Sequence, residues 1–282
     1  MSIFLNPIVE LNLPGGWKGE AIEKWSNLVF EPEKLTDKPE LVFKLEKGNI
    51  TAVRKIEFNG KKIAFVVKKT VKPRGLKALA EILRAPKSLR NFYLAILLKQ
   101  KSIEVAEPVA ALWNKKEASL YITEYIPDSL NLYEIVSGKN KEILKNFSMR
   151  KSVIRQIAGI IAKLHKANFW HRDPKAGNFI LYKDGGIYRV KLVDLDGIKR
   201  DSANKPENHI RTLEKLAETL IRYKAVNFTD LYRGFLIYCD AMGINGDETR
   251  ELFRKVERAT VAARLLTTAS DSYELKKNDR TV

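Results

Sequence analysis

The eight residues His171-Arg172-Asp173-Pro174-Lys175-Ala176-Gly177-Asn178 put a carboxylate, an ammonium group and an amide oxygen on one short stretch. Phosphoryl transfer asks for that set. A carboxylate near the acceptor hydroxyl takes its proton, a cation offsets the charge gathering on the transferred group, and a hard oxygen holds magnesium. Asp173 suits the first task, Lys175 the second and Asn178 the third. The plainer reading is an ordinary polar turn between a helix and a strand. A second carboxylate, Asp194, closes the apolar run Leu192-Val193 and is the candidate metal ligand on the phosphate side. Asp196 is either a further ligand or a turn residue. Lys68 ends the run Ala64-Phe65-Val66-Val67 and would reach nucleotide phosphates. Strand alternation sends Lys68 and Lys69 to opposite faces, so only one of them can do so. Lys68 fits the spacing better.

Several elements must position these groups. Residues 1–40 read as an irregular lead-in, broken by Pro7, Pro14-Gly15-Gly16, Pro32 and Pro39. Strands are predicted at Leu41–Leu45, Thr51–Phe58 and Lys61–Thr70, with turns at Lys47-Gly48-Asn49 and Asn59-Gly60. Gly48 is the one glycine available there to let backbone N–H groups approach phosphate. Helical spacing follows in Leu76, Leu79, Ala80 and Leu83, and again in Leu89, Phe92, Tyr93, Ile96 and Leu97. Another strand pair is expected at Val109–Trp113 and Ser119–Tyr125. It ends in Glu124 to Ile126, whose backbone groups suit the edge of an adenine. Beyond Pro127 the pattern is mainly helical. Val153, Ile157, Ile160, Ile161 and Leu164 form a stripe ahead of the catalytic stretch, and two short strands, Phe179–Tyr182 and Tyr188–Val193, come after it. His165 and His171 read as packing residues, since Asp173 already occupies the place of a base. The expected organisation is an extension at 1–40, an ATP-binding sheet lobe at 41–126 and a helical lobe at 127–282.

These motifs resemble those of protein kinases. The catalytic stretch matches H-R-D with Asn five residues after the Asp, Ala64–Lys68 resembles V-A-I-K, and Asp194 stands where D-F-G has its Asp. Leu195 replaces the Phe and Asp196 the Gly. The fold class expected is α+β: a two-lobed protein-kinase-like fold with an antiparallel-sheet N-lobe and a compact, mainly helical C-lobe. More specifically, the chain resembles the lipopolysaccharide core kinases, which act on Kdo and inner-core heptose. That likeness runs from about Leu41 to Leu220. It rests on Ser88-Leu89-Arg90-Asn91-Phe92, Pro108-Val109-Ala110, Ile122-Thr123-Glu124, Lys199-Arg200 and Arg211-Thr212-Leu213-Glu214-Lys215-Leu216. The resemblance implies an ATP- and Mg²⁺-dependent enzyme on the inner face of the cytoplasmic membrane, with a membrane-anchored glycolipid as acceptor. Family members often carry a glutamate at the place of Asn91, so the acidic partner of Lys68 is sought elsewhere, at Glu81. Two alternatives stay open: a minimal atypical Ser/Thr protein kinase, and a pseudokinase scaffold.

Composition sets the partners. The chain of 282 residues holds 51 Lys+Arg against 34 Asp+Glu, a net charge of +17. That excess favours polyanionic partners, and an anionic membrane surface is expected among them. Between Lys61 and Lys101 twelve basic residues face one acid, Glu81, which is more than ATP alone would need. No recognition helix, zinc or RNA-binding motif accompanies the charge, so nucleic acid is not expected. Cys239 is the only cysteine, which excludes an intramolecular disulfide. Met1 to Leu13 has no basic stretch followed by an apolar core, so no export signal is expected.

Overall fold

Period-two alternation in the first part of the chain and 3.6-residue periodicity in the second fold, as expected, into antiparallel sheet followed by helices. A computed structural model describes residues 7–28, 31–58, 60–72, 84–114 and 117–278, with side chains as far as residue 262. Glu81, Asn59 and the predicted helical stripe at residues 76–83 lie outside the described residues. The chain divides into two compact units, Met1–Pro127 and Asp128–Val282.

The first unit is built on a seven-stranded antiparallel sheet. Its strands are β1 (Ile8–Leu13), β2 (Trp17–Ile22), β3 (Leu41–Glu46), β4 (Asn49–Phe58), β5 (Lys61–Val71), β6 (Pro108–Asn114) and β7 (Ala118–Glu124), in the order β1-β2-β6-β7-β5-β4-β3. The irregular reading of residues 1–40 is therefore corrected. Pro14-Gly15-Gly16 does not end structure but makes a turn, with Gly15 and Gly16 at φ of 70° and 76°. The alternation of Val9, Leu11 and Leu13 with Trp17, Gly19 and Ala21 is the strand signal that the breakers hid. Trp17 and Ala21 are buried with Leu112, Leu120, Ile122, Phe65 and Val67 on one face of the sheet. Gly19 is needed in that row: a Cβ there would come within 2.4 Å of the Leu112 side chain.

Helix α1 (Lys87–Gln100) packs on the sheet through β6 and β7. Its buried stripe is Ser88, Asn91, Phe92 and Ala95, with Ile96 and Leu98 beside it. The predicted face is thus rotated: Tyr93 and Leu97 are exposed. Two buried polar residues cause the shift. Ser88 Oγ donates to the Leu112 carbonyl at 3.0 Å, so burial there follows a hydrogen bond that an apolar count does not register.

The second unit begins with β8 (Leu130–Asn131), α2 (Leu132–Val136), α3 (Lys141–Lys145) and the long α4 (Phe147–Lys166). Asn131, Asn140 and Asn146 cap these helices, each accepting from a backbone N–H in the first turn. The stripe Val153, Ile157, Ile160, Ile161 and Leu164 of α4 is buried, as the periodicity predicts. Four short strands follow, β9 (Phe169–His171), β10 (Phe179–Asp184), β11 (Ile187–Leu192) and β12 (Ile198–Arg200). The helices α5 (Pro206–Leu220), α6 (Phe228–Met242) and α7 (Gly246–Asn278) complete the unit. α4 packs against α6, and α5 against α7.

Candidate active site

Strand register brings the two carboxylate-bearing loops of the second unit together. β10 pairs with β11, placing Phe179 opposite Leu192, and β9 pairs with β12, placing His171 opposite Ile198. The two pairs are nested in the chain. Residues 172–178 and residues 193–197 must therefore leave the strands side by side. Two backbone bonds tie the loops directly: Val193 N–H donates to the Asn178 carbonyl at 2.8 Å, and Arg172 N–H to the Gly197 carbonyl at 2.9 Å.

His171 is the post around which both loops are wound. It is 1% exposed. Its Nδ1 lies 3.2 Å from the Asp173 N–H and its Nε2 lies 3.4 Å from Asn178 Nδ2. Thr212 of α5 clamps the His171 backbone: its Oγ1 is 3.3 Å from the His171 N–H, which it accepts, and 3.1 Å from the His171 carbonyl. Gly197 closes the other side. A Cβ at Gly197 would sit 2.3 Å from His171 Cε1 and 2.7 Å from Nδ1, so any side chain there must displace the ring. Neither residue carries a signal in the sequence, because Gly197 is needed for its contact with the His171 ring and Thr212 for its bonds to the His171 backbone, both far away along the chain.

Around this post stand four of the candidate residues. Asp173 is half-buried and pairs with the exposed Lys175, Nζ to Oδ2 at 2.9 Å. Asp194 is exposed and adopts φ 58°, ψ 69°. The left-handed region costs a non-glycine residue free energy, and Asp is among the side chains that tolerate it best. Asp196 lies in a single 3-10 turn, Leu195–Gly197.

The donor set fits magnesium. An amide oxygen and a carboxylate are hard ligands, and magnesium takes one or two carboxylates with the rest from phosphate and water. Among the described residues no group of three or more His, Cys, Asp or Glu side chains could hold a metal by itself.

The remaining candidates lie in the first unit. Lys68 stands opposite Thr51 of β4 and Tyr121 of β7, and Lys69 opposite Ile50 and Leu120. Lys69 thus shares the face of Val67, Leu120 and Ile122, which is filled by apolar side chains. Lys68 shares the opposite face with Tyr121, Ala111 and Glu20, through the pairs Ala111–Tyr121 and Glu20–Ala111. Tyr93 of α1 donates to the Glu20 carboxylate, so α1 lies on the Lys68 side. Gly48, at φ 80°, follows Lys47 at φ 49°, the two left-handed positions of a tight β3–β4 turn. Asn49 Oδ1 accepts from Val71 N–H at 2.9 Å and holds that turn to the end of β5. Glu124 gives its N–H to the Glu107 carbonyl at 2.9 Å, and its carboxylate accepts from the Glu107 N–H at 2.8 Å. Ile126 is 8% exposed.

All three histidines are held neutral. Burial pushes His171 down to about 4, against the raising effect of Asp194 and Asp173. It pushes His165 down to about 3, with the His209 ring adding to the effect, and it lowers His209 too. His165 stacks on His209 with centroids 4.0 Å apart, and its Nδ1 meets the Tyr238 hydroxyl at 2.8 Å. Among the described residues neither His165 nor His209 has a hydrogen-bond partner at Nε2 to receive an added proton. Above the ordinary value of 6.5 both folded and unfolded chains are neutral at these rings. Below it only the unfolded chain takes up protons, so stability is lost as pH falls toward 4. The expected loss approaches about 1.4 kcal/mol per pH unit for each of His165 and His171. Urea midpoints measured between about pH 7 and 5 check this, and a flat profile would contradict the burial of the rings.

Comparison with known proteins adds the context that geometry alone lacks. A sequence model of the lipopolysaccharide kinase (Kdo/WaaP) family matches residues 48–235, more than half of the chain and both of the loops around His171. Among solved structures, one described as WaaP in complex with acyl carrier protein superposes with a TM-score of 0.55 at 15% identity. The match covers 84% of this chain and 95% of that one, a likeness of fold.

Proposed function

Because the chain belongs to the lipopolysaccharide kinase (Kdo/WaaP) family, we propose that it transfers the γ-phosphate of ATP to a hydroxyl of Kdo or heptose in the lipopolysaccharide inner core. The observation that carries the residue roles is the gathering of Asp173, Lys175, Asn178 and Asp194 around the buried His171. Asp173 accepts the proton of the sugar hydroxyl. Lys175, already 2.9 Å from that carboxylate, offsets charge on the phosphoryl oxygens. Asn178 and Asp194 would hold magnesium, which would neutralise charge on the phosphate oxygens. Lys68 holds the α- and β-phosphates, the backbone at Gly48 covers them, and the Glu124 carbonyl with the Ile126 N–H meets the adenine edge. Incubating the purified chain with γ-labelled ATP and a deacylated inner-core oligosaccharide tests the reading. Label in the glycan supports it; label appearing only in protein acceptors would transfer the activity to another substrate class.

The choice of Lys68 over Lys69 has its own test. Lys68→Ala is expected to weaken ATP binding by roughly tenfold or more, the loss of a charge-assisted contact, and Lys69→Ala to change it by less than about twofold. A larger loss for Lys69→Ala in a nucleotide titration would reverse the assignment.

We also place the enzyme peripherally on the cytoplasmic face of the membrane that carries its acceptor. No helix of the described residues is long and apolar enough to cross a membrane. Attachment is therefore assigned to charge, at about 1 kcal/mol per cation near an anionic surface. The excess of twelve cations over one acid between Lys61 and Lys101 supports this, although Lys99 is ion-paired with Glu107. Changing the exposed Lys61, Lys62 and Lys101 to Gln should lower co-sedimentation with anionic vesicles and flatten its dependence on salt. Equal binding of the wild type to neutral vesicles would rule out docking by charge.

A further inference from the structure

The two-stranded ribbon of β9 and β12 carries cations that the roles above do not use. His171 pairs with Ile198, Trp170 with Lys199 and Phe169 with Arg200. Phe169, His171 and Ile198 are buried, so strand alternation turns Trp170 and Lys199 to the outer face. Arg211 of α5 lays its guanidinium over the Trp170 ring, 5.9 Å from the centroid. Its neighbour Thr212 is the residue bonded to the His171 backbone, so the helix that delivers Arg211 is fixed to the same ribbon. Arg172 leaves the ribbon directly before Asp173 and is held by its backbone bond to Gly197. Arg172, Lys199 and Arg211 are all exposed. Two of the acids nearby are otherwise engaged: Asp201 is 4% exposed and accepts from the Lys205 N–H, and Asp173 pairs with Lys175.

We propose that Lys199 and Arg211, with Arg172 beside them, form an anion-binding platform next to Asp173 that grips a carboxylate or phosphate on the acceptor glycan. The platform thereby selects which sugar presents its hydroxyl. This rests on the reading of the acceptor as an inner-core sugar. Cations gathered on one face repel one another, and a ligand anion relieves that cost. The planar guanidinium of Arg211 matches carboxylate and phosphate oxygens two at a time, and stacking on Trp170 limits the freedom it would lose on binding. ATP does not need these groups, because Lys68, Lys175 and magnesium already answer its charge.

Steady-state phosphotransfer by the full chain tests the platform. The acceptors are a deacylated core oligosaccharide with free carboxylates, the same glycan with its carboxylates amidated, and the same glycan with its phosphate monoesters removed. For Lys199→Gln and Arg211→Gln, KM for the unmodified acceptor should rise roughly tenfold each, with the loss confined to KM for the glycan. Arg211→Lys should recover only part of the loss, because the charge returns without the fork. Whichever modified acceptor removes the difference between wild type and variants names the anion. Wild-type KM values in both variants, or an equal rise on every acceptor, would overturn the platform while leaving the kinase reading intact. A wild-type chain that phosphorylates no core glycan would overturn the glycolipid reading, and the platform's ligand with it.

Discussion

Asp173→Asn lowers turnover by about two to four orders of magnitude and leaves Mg-ATP affinity within about twofold of the wild type. The expectation follows from what the side chain touches. Its carboxylate pairs only with the exposed Lys175, while the contact that organises the loop, to His171 Nδ1, is made by the Asp173 backbone. Asparagine keeps that backbone contact and the side-chain size but cannot take a proton. The damage should therefore fall on the chemical step and spare fold and nucleotide binding. Single-turnover transfer from labelled ATP, run beside a nucleotide titration, separates the two. Wild-type turnover in Asp173→Asn would remove it as the base. A matching loss of ATP affinity would move it to the nucleotide side.

Asp194→Asn acts on the other half of the reaction. Asn tolerates the left-handed backbone that Asp194 adopts about as well as Asp does, so the turn should persist while the negative charge is lost. Affinity for ATP in the presence of magnesium should fall at least roughly tenfold, and turnover with it, while metal-free nucleotide binding stays close to wild type. Titrating ATP at two magnesium concentrations measures this. A variant whose affinity responds to magnesium as the wild type does would show that Asp194 does not hold the metal.

The residues gathered at His171 were readable from sequence because the loop is local: seven residues close one strand pair and open the next, and spacing along the chain nearly equals spacing in the fold. The buried face of α4 was readable for the same reason, since its five apolar residues repeat at helical intervals. What contacts at long range determine was not readable. The β1–β2 strands were hidden because Pro14-Gly15-Gly16 is the same signal whether it ends structure or turns it, and only pairing of β2 with β6 decides which. The face of α1 is turned toward the polar Ser88 and Asn91, and the burial of Ser88 depends on the Leu112 carbonyl elsewhere in the unit. Gly197 matters through the His171 ring, Thr212 through the His171 backbone, and Arg211 through Trp170. Each is an ordinary residue until the ribbon of β9 and β12 forms.

If this kinase places a phosphate on an inner-core sugar through Asp173, as proposed, the core of cells lacking it must change. Mass analysis of core oligosaccharides tests this most directly, comparing cells with the gene intact, with it deleted, and with the deletion complemented by wild type or by Asp173→Asn. The core should carry one phosphate fewer in the deletion, regain it with the wild-type chain, and still lack it with Asp173→Asn. A core unchanged by deletion, or restored equally by Asp173→Asn, would contradict the proposal.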